Sequence, residues 1–137
     1  MRPFTLQIVT PEGSRYDGEA QMIRLRTIEG DVAVMAGHVP YATAVGVGEC
    51  RVVLPDGSER RAACCGGLFS VGSVVRLVAS TFEWAEDIDT ARAEAACARA
   101  QEALAAGKTD VAQKAALQER LRRAEVRLQV AGTSNDR

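Results

Sequence analysis

Apolar and polar residues alternate along the first half of the chain with the two-residue period of a β-strand. Phe4, Leu6 and Ile8 are separated by single polar residues, and Ile23 and Leu25 alternate with arginines. Side chains of a strand point to opposite faces in turn, so this alternation places one face against a core. The pattern predicts short strands that are each buried on one side.

Glycine-rich turns separate these strands. Ten of the twelve glycines precede residue 73, and turn residues occupy 29–31, 55–58 and 72–73. Asp56-Gly57 between apolar runs predicts a hairpin with a type I′ turn, which requires positive φ. For Gly66-Gly67 we expect a tight turn or a close approach of strands. The fold class predicted is α+β, beginning with an antiparallel β-sandwich or flattened barrel over residues 1–84.

The character of the chain changes after Trp84. Residues 87–106 contain neither glycine nor proline, and alanine, the best helix former, dominates them. Asp87 or Asp89 can cap the start of a helix, and Gly107 can end it in the left-handed conformation. The sequence therefore predicts a first helix over about 87–106.

A second helix is predicted to begin at Thr109 or Asp110. Its apolar positions fall on one face: Leu117, Leu121, Ala124 and Leu128. Two helices with a short break predict an antiparallel hairpin over residues 85–132, followed by a polar, frayed tail at 133–137. A mostly alanine interface buries little area, so we expect the hairpin to depend on other contacts and to be able to change partners.

Composition limits the classes of function. The formal net charge is −1, and only 4% of residues are aromatic, so we expect no nucleic-acid partner. No apolar run reaches the ~20 residues that span a bilayer, and the N-terminus turns polar too early for a signal peptide, which indicates an intracellular chain without direct membrane insertion. The four cysteines, of which Cys64-Cys65 lack zinc-site spacing, are expected to be reduced and buried.

Catalytic constellations are absent from the sequence. His38 is the only histidine, and it lies in a loop-like stretch without a partner that would position it as a general base. No phosphate-binding loop, metalloprotease motif or serine triad is present. We therefore predict a non-catalytic protein with no metal site.

Arginines of the helical half admit two interpretations. Asp89, Arg92 and Arg99 share one face of the first helix. A second basic set follows on the other helix: Arg120, Arg123 and Arg127. Arginine forks suit phosphate, but a solvated face balanced by glutamates is more common, and spacing alone favours it.

Six short motifs, in order, resemble the epsilon subunits of F-type ATP synthases. They are Phe4–Glu12, Tyr16–Ala20, Thr27–Asp31, Gly37–Pro40, Gly66–Val71 and Ile88–Ala93. The resemblance extends to about Leu128. It implies a ten-stranded sandwich followed by two helices, which agrees with the change of period.

The resemblance implies a non-catalytic rotor subunit in the central stalk of a proton-translocating synthase. The sandwich would dock on the gamma subunit and the c-ring, with Asp31 towards the ring and His38 towards gamma. The helices would extend to the alpha and beta subunits and inhibit ATP hydrolysis. The complex would lie at the cytoplasmic face of a bacterial plasma membrane, where this chain would be peripheral.

The resemblance also implies that the folded hairpin binds ATP as a regulatory ligand, with no other cofactor required. The residues matching the family's motifs are Glu83, Ile88, Asp89, Arg92, Ala93, Arg99, Arg123 and Arg127. The arginines would hold phosphate, the carboxylates adenine or ribose, and the two apolar residues the base. The alternatives are a free-standing ATP-sensing module and a carbohydrate-binding or adaptor sandwich, the latter disfavoured by the scarcity of aromatic residues.

Overall fold

The alternating half of the chain folds into strands, and the alanine-rich half into two helices. The computed structural model describes residues 2–135, and within them eight strands and two helices form. The strands are β1 Phe4–Thr10, β2 Gly13–Ala20, β3 Met22–Thr27, β4 Gly30–Met35, β5 Tyr41–Ala44, β6 Val47–Val53, β7 Glu59–Val71 and β8 Val75–Trp84. A 3-10 turn at Ala85–Asp87 leads to α1 Thr90–Ala106 and α2 Val111–Asn135.

The strands form one folded sheet in the order β2-β1-β8-β7-β6-β3-β4, with β5 paired to β7. The first half of β7 pairs with β6, and its second half pairs with β5. The sheet therefore folds over at β7 and β8 into two layers, as the predicted sandwich requires. Neighbours are antiparallel except β1 and β8, which run parallel.

The strand count differs from the ten that the family resemblance implies. The structure has eight strands in residues 2–135 because β7, with 13 residues, and β8, with 10, each run through both layers without interruption. Counting the two halves of these long strands separately gives ten segments. The difference lies in where a strand is divided, and the layers are those expected.

Gly67 permits the fold of the sheet at β7. Its φ is +107°, and a Cβ at this position would lie 1.9 Å from the Val78 carbonyl oxygen. Only a residue without a side chain fits so close to the neighbouring strand. The expected close approach of strands at Gly66-Gly67 is confirmed.

The hairpin at residues 54–58 does not use the predicted type I′ turn. Among the described residues only glycines have positive φ, so Asp56 does not, although Gly57 has a φ of +88°. The Leu54 carbonyl accepts from the Gly57 amide at 2.9 Å, which closes a turn with Pro55 at its second position. Proline favours type I there, and the glycine then follows as a bulge.

The core between the layers is aliphatic with few aromatic residues. Its largest fully buried side chains include Phe69, Leu6, Ile8, Ile23, Leu25 and Leu77. Cys50, Cys64 and Cys65 are buried as free thiols, whereas Cys97 is only half-buried, unlike the prediction for all four. Burial raises the pKa of the Cys64 thiol to about 12, so this thiol stays protonated at neutral pH.

Both helices begin at capping signals in the sequence, and α1 also ends at one. Asp89 is the N-cap of α1, and Gly107, with a φ of +68°, ends it. Asp110 caps α2 through a reciprocal pair of hydrogen bonds with Gln113, at 2.8 and 3.1 Å. The first helix starts at Thr90 and not at Asp87, because the 3-10 turn occupies 85–87. The second continues to Asn135, into the segment predicted as a frayed tail, of which residues 136 and 137 lie outside the described range.

Helix α2 packs on the outer surface of the layer that contains β6 and β7. Its buried residues there are Val126, Val130 and Ala131, which contact Ala63, Ala85, Ile88 and Val47. The sequence predicted only the apolar stripe on α2 that includes Leu117 and Leu128. The second stripe is short and follows the i, i+4 spacing of one helix face, and it fixes the hairpin to the sandwich.

Candidate functional site

One face of α1 lines a groove between the two helices. Asp89, Arg92, Ala93, Ala96 and Arg99 follow one another at intervals of three, one, three and three residues, which keeps them on one side of the helix. The two alanines form the floor, because a methyl group leaves room that a longer side chain would fill. The groove has two adjoining compartments.

The first compartment lies at the junction of the helices with the sandwich and has a volume of about 410 Å³. It is lined by Glu83, Asp87, Asp89, Arg92, Ala93, Ala96, Arg99 and Arg127. Its three carboxylates and three guanidinium groups balance, so the compartment has no net charge. Acceptors and donors lie side by side in it.

Arg127 connects the second helix to the sandwich in this compartment. Its Nε donates to Oε1 of Glu83 at 2.6 Å, and both side chains are about one-third exposed. A charge-assisted hydrogen bond at this distance fixes both groups. Glu83 keeps its second carboxylate oxygen for another donor.

Asp89 has a structural task beside any role in binding. Its Oδ1 accepts a hydrogen bond from the backbone amide of Arg92 at 3.0 Å, which caps α1. The cap holds the Arg92 side chain at the first turn of the helix, facing the same compartment. The second carboxylate oxygen of Asp89, Oδ2, takes no part in this capping hydrogen bond.

The second compartment lies further along the helix pair and has a volume of about 530 Å³. Its lining is Ala96, Ala100, Ala103 and Leu117 together with four arginines: Arg99, Arg120, Arg123 and Arg127. None of its lining residues is acidic, so this compartment is positive; Arg127 is paired with Glu83, and Arg120 and Arg123 are the arginines that it does not share with the first compartment. Ala96, Arg99 and Arg127 belong to both compartments, which makes the groove continuous.

The structure brings together seven of the eight residues predicted to bind ATP. Ile88 is the exception: it is buried in the apolar cluster beneath α2 and does not line either compartment. Its predicted contact with a base therefore has no support from its placement, because its side chain packs against Val126 and Val130. Asp87, Ala96 and Arg120 line the groove but were not among the predicted binding residues. Ala96 lies one turn after Arg92, and this spacing could have indicated that Ala96 lines the groove.

Contacts of Trp84 position the junction that leads into the groove. The Arg60 guanidinium lies 3.7 Å from the centre of the indole ring and donates to Glu86 at 2.6 Å. The indole Nε1 donates to the Arg15 carbonyl at 3.1 Å. The hydrogen bond from Arg60 lowers the pKa of Glu86, which stays ionised. These contacts fix the 3-10 turn and the end of β8.

Asp31 and His38, the residues predicted to face partners, lie at opposite ends of β4. Asp31 is exposed and forms an ion pair with Arg26 at 3.5 Å. His38 follows the strand, packs edge-on against Tyr41, and its Nδ1 lies 2.7 Å from the Val39 carbonyl oxygen. Their separation along the strand is compatible with two different partners.

The outer surface of the other layer carries an apolar row. Val9, Val78, Leu68 and Ala44 are consecutive cross-strand neighbours on β1, β8, β7 and β5. Leu68 is 65% exposed and Val78 is 44% exposed. No helix of the described chain covers this surface, which we call the open face; the surface under α2 is the covered face.

Within residues 2–135, no three histidine, cysteine or acidic side chains are grouped closely enough to hold a metal ion. Neither helix in that range is long and apolar enough to cross a membrane.

Family comparisons match both halves of the chain. Residues 3–85 match the family described as ATP synthase, Delta/Epsilon chain, beta-sandwich domain. Residues 86–132 match the ATP synthase, Delta/Epsilon chain, long alpha-helix domain. The two matched ranges meet where the 3-10 turn joins the sandwich to the helices.

Curated relatives are named ATP synthase epsilon chain. The protein from Ruminococcus albus is 35% identical over 133 residues, 96% of this chain and 98% of the relative. The protein from Shouchella clausii is 33% identical over 92% of this chain and 96% of its own length.

Solved structures share the fold. A chain of the mitochondrial ATP synthase of Euglena gracilis (OSCP/F1/c-ring) superposes with a TM-score of 0.78 at 21% identity, over 90% of this chain and 78% of that one. A chain from the central stalk and c-ring of the Tetrahymena thermophila enzyme gives 0.61 at 12% identity, over 95% and 97%.

Proposed function

This chain belongs to the ATP synthase epsilon-chain family and is a non-catalytic subunit of that enzyme, and we propose that it works as a rotor and regulatory subunit of the central stalk. In this role the sandwich couples the catalytic head to the c-ring, and the helical hairpin controls ATP hydrolysis. As part of a bacterial synthase it acts at the cytoplasmic face of the plasma membrane, peripheral to it, where the complex carries hydrogen ions.

The open face is the proposed docking surface for gamma. Exposed apolar residues in a contiguous row on a soluble protein usually mark a partner site. The row lies entirely on the sandwich, so gamma binding does not require the helices. A chain ending at residue 84 should therefore still co-purify with gamma, whereas a free-standing ATP sensor would not bind gamma in either form.

Asp31 lies at the tip of the β3–β4 hairpin, and the proposed c-ring contact is at this tip. Ile28 in the same turn is 70% exposed, so the tip offers an apolar and an acidic group together. His38 at the other end of β4 belongs to the proposed gamma side. The two partners then contact the sandwich at different ends.

The helix groove is the proposed site of regulatory ATP. The observation that carries this proposal is the charge difference between the two adjoining compartments. Phosphates suit the compartment that contains four arginines and no acid. Adenine and ribose suit the neutral compartment, where Glu83 and Asp89 can accept from amino and hydroxyl groups.

Bound ATP would hold the hairpin in the folded state. Both helices and β8 contribute to the groove, so a ligand there binds only when the helices are together against the sandwich. Such a ligand stabilises that state by mass action. With ATP scarce, the hairpin is free to extend along gamma towards the alpha and beta subunits and inhibit hydrolysis. Arg120, Arg122, Arg123 and Arg127 are candidates for those contacts.

Calorimetric titration of the chain with ATP tests the nucleotide site. We expect Arg123→Gln and Arg92→Ala each to weaken binding by about tenfold to hundredfold, because each removes a charge-assisted hydrogen bond worth about 1.5–3 kcal/mol. Arg15→Gln, an exposed change on β2 at a residue that lines neither compartment, is the control and should bind as the wild type does. Absence of heat and of any thermal shift at millimolar ATP would show that the groove is only a solvated surface.

A further inference from the structure

We propose that a separate cleft, between α2 and the covered face of the sandwich, is a binding site for phosphate or a phosphate group. It has a volume of about 270 Å³. Strands β3 and β6 form one wall, and α2 forms the other. Its charged lining residues are Arg24, Arg26, Arg51 and Arg122 with Asp31 and Glu49.

The charges in this cleft do not balance. Asp31 forms an ion pair with Arg26 at 3.5 Å, and Glu49 forms one with Arg51 at 3.1 Å. Arg24 and Arg122 form no ion pair with any residue in the described range 2–135. Four guanidinium groups against two carboxylates leave two positive charges uncompensated.

Like charges also lie directly opposite one another across the sheet. Arg24 on β3 faces Arg51 on β6, and Arg51 faces Arg61 on β7. Directly opposed like charges destabilise a sheet. Glu49 serves both Arg51 and Arg61, the latter at 3.7 Å, and the Arg61 Nε is buried without a hydrogen-bond partner. A bound anion would offset this repulsion.

Phosphate fits the size and chemistry of the cleft. Inorganic phosphate at neutral pH carries between one and two negative charges and has several strong acceptor oxygens, which arginine forks bind in pairs. Guanidinium groups come from three elements, so they can surround a compact tetrahedral anion. The cleft shares no lining residue with either compartment of the helix groove, so this site does not depend on the proposed nucleotide site.

Occupancy of the cleft would fasten the helix to the sandwich. Arg122 belongs to α2, whereas Arg24, Arg26 and Arg51 belong to strands. An anion held by both sides adds a contact that exists only when α2 is docked. Phosphate should therefore slow amide exchange in α2.

The full chain should be titrated with sodium phosphate at pH 7.5, with sodium chloride at matched ionic strength as the reference. We expect a phosphate-specific heat and a rise in melting temperature. Arg24→Gln and Arg51→Gln should each weaken phosphate binding by about tenfold to hundredfold, the effect of losing one charge-assisted contact. Without phosphate, Arg24→Gln should be no less stable than the wild type, because it relieves repulsion from Arg51 and breaks no ion pair of the described residues. Arg15→Gln should bind phosphate normally.

Other results of these titrations would overturn the phosphate site or identify the source of the phosphate group. Equal shifts in phosphate and chloride, or phosphate binding unchanged in Arg24→Gln, would overturn the proposal. Loss of phosphate binding in Arg92→Ala but not in Arg24→Gln would place the anion in the helix groove instead and overturn it too. If Arg24→Gln weakens ATP binding as well, the cleft holds a phosphate group of the nucleotide, which supports the site and identifies its source. Slowed exchange that persists in Arg122→Gln would show that phosphate does not bridge to α2.

Discussion

The two outer faces of the sandwich share the long strand β7 but present opposite chemistry. The covered face carries arginines, glutamates and a small apolar cluster that α2 buries. The open face carries the apolar row, with Leu68 and Val78 exposed. Strand β7 contributes to both, since its first half lies under α2 and its second half carries Leu68.

This difference indicates how firmly each face holds its partner. A face that binds its own helix through three small side chains and a few charges can release that helix. A face whose apolar residues have no partner within the chain gains by binding another protein. We infer that the covered face is adapted for exchange and the open face for permanent assembly.

The largest effect is expected at Gly67, where β7 passes from one face to the other. Gly67→Ala places a methyl group 1.9 Å from a backbone oxygen at a φ of +107°, so the strand must move. We expect a loss of at least about 3 kcal/mol in the free energy of unfolding, measured by denaturant titration.

Gly132→Ala is the matched control for this change. Gly132 lies in α2 with open space around the added Cβ, and alanine favours helices, so stability should be unchanged or rise by up to about 1 kcal/mol. Similar stability of both variants would show that the two halves of β7 are not bent around this glycine.

On the open face, Leu68→Asp should abolish or severely weaken binding to gamma. A charge in the centre of an apolar contact costs about 2 kcal/mol or more, which is about thirtyfold in affinity. Because Leu68 is 65% exposed, the isolated chain should remain folded. Surface plasmon resonance with immobilised gamma measures the effect.

Gln118→Asp, which adds the same charge at an exposed position on α2, is the control and should bind gamma normally. Undiminished binding of Leu68→Asp would remove the open face as the docking surface.

On the covered face, Val130→Ala should weaken the docking of α2 on the sandwich without changing the affinity for gamma. Val130 is fully buried, so the change leaves a cavity that costs about 1–2 kcal/mol in docking of the helix. We expect faster amide exchange in α2 and weaker ATP binding.

Val111→Ala is the matched change on the same helix, at a residue that is 88% exposed, and should leave exchange at the sandwich contact unaltered. If both variants exchange at the wild-type rate, docking of the helix does not depend on the apolar cluster.

The smallest effect is expected from Glu86 beside the covered face. Arg60 lowers the pKa of Glu86, so the ionised form stabilises the fold at pH above its usual value of 4.5. This contribution, at most about 1 kcal/mol for an exposed pair, is lost as the pH falls through the lowered pKa.

Thermal unfolding between pH 3 and 7 should therefore show a smaller loss on acidification for Glu86→Gln than for the wild type. Parallel pH profiles for the two proteins would contradict a stabilising role of this ion pair.

Local signals explain which parts of the fold could be predicted. Alternation gave the strands, and Asp89, Gly107 and Asp110 marked the helix boundaries, because caps act within four residues. The turn at Asp56 was assigned wrongly because Pro55 determines its type. The sequence did not reveal that Ile88 packs under Val126 and Val130, since that contact depends on where a helix docks and not on local spacing. Motif resemblance identified the arginines of the groove, but the separation of charge between its two compartments required the structure.

The parallel pairing of β1 with β8 also affects the timing of folding. Leu6 pairs with Val75, so the first strand of the sheet finds one of its neighbours only after about half of the chain has been made. Loops of that length close slowly, and folds rich in such pairs fold slowly. On the ribosome, which adds about 5–20 residues per second, the sandwich cannot close until β8 has emerged from the exit tunnel. The helices emerge last, and their mutual contacts are local. A nascent chain therefore waits with an unpaired β1 edge, and the helices have a surface to dock on only once that edge is closed.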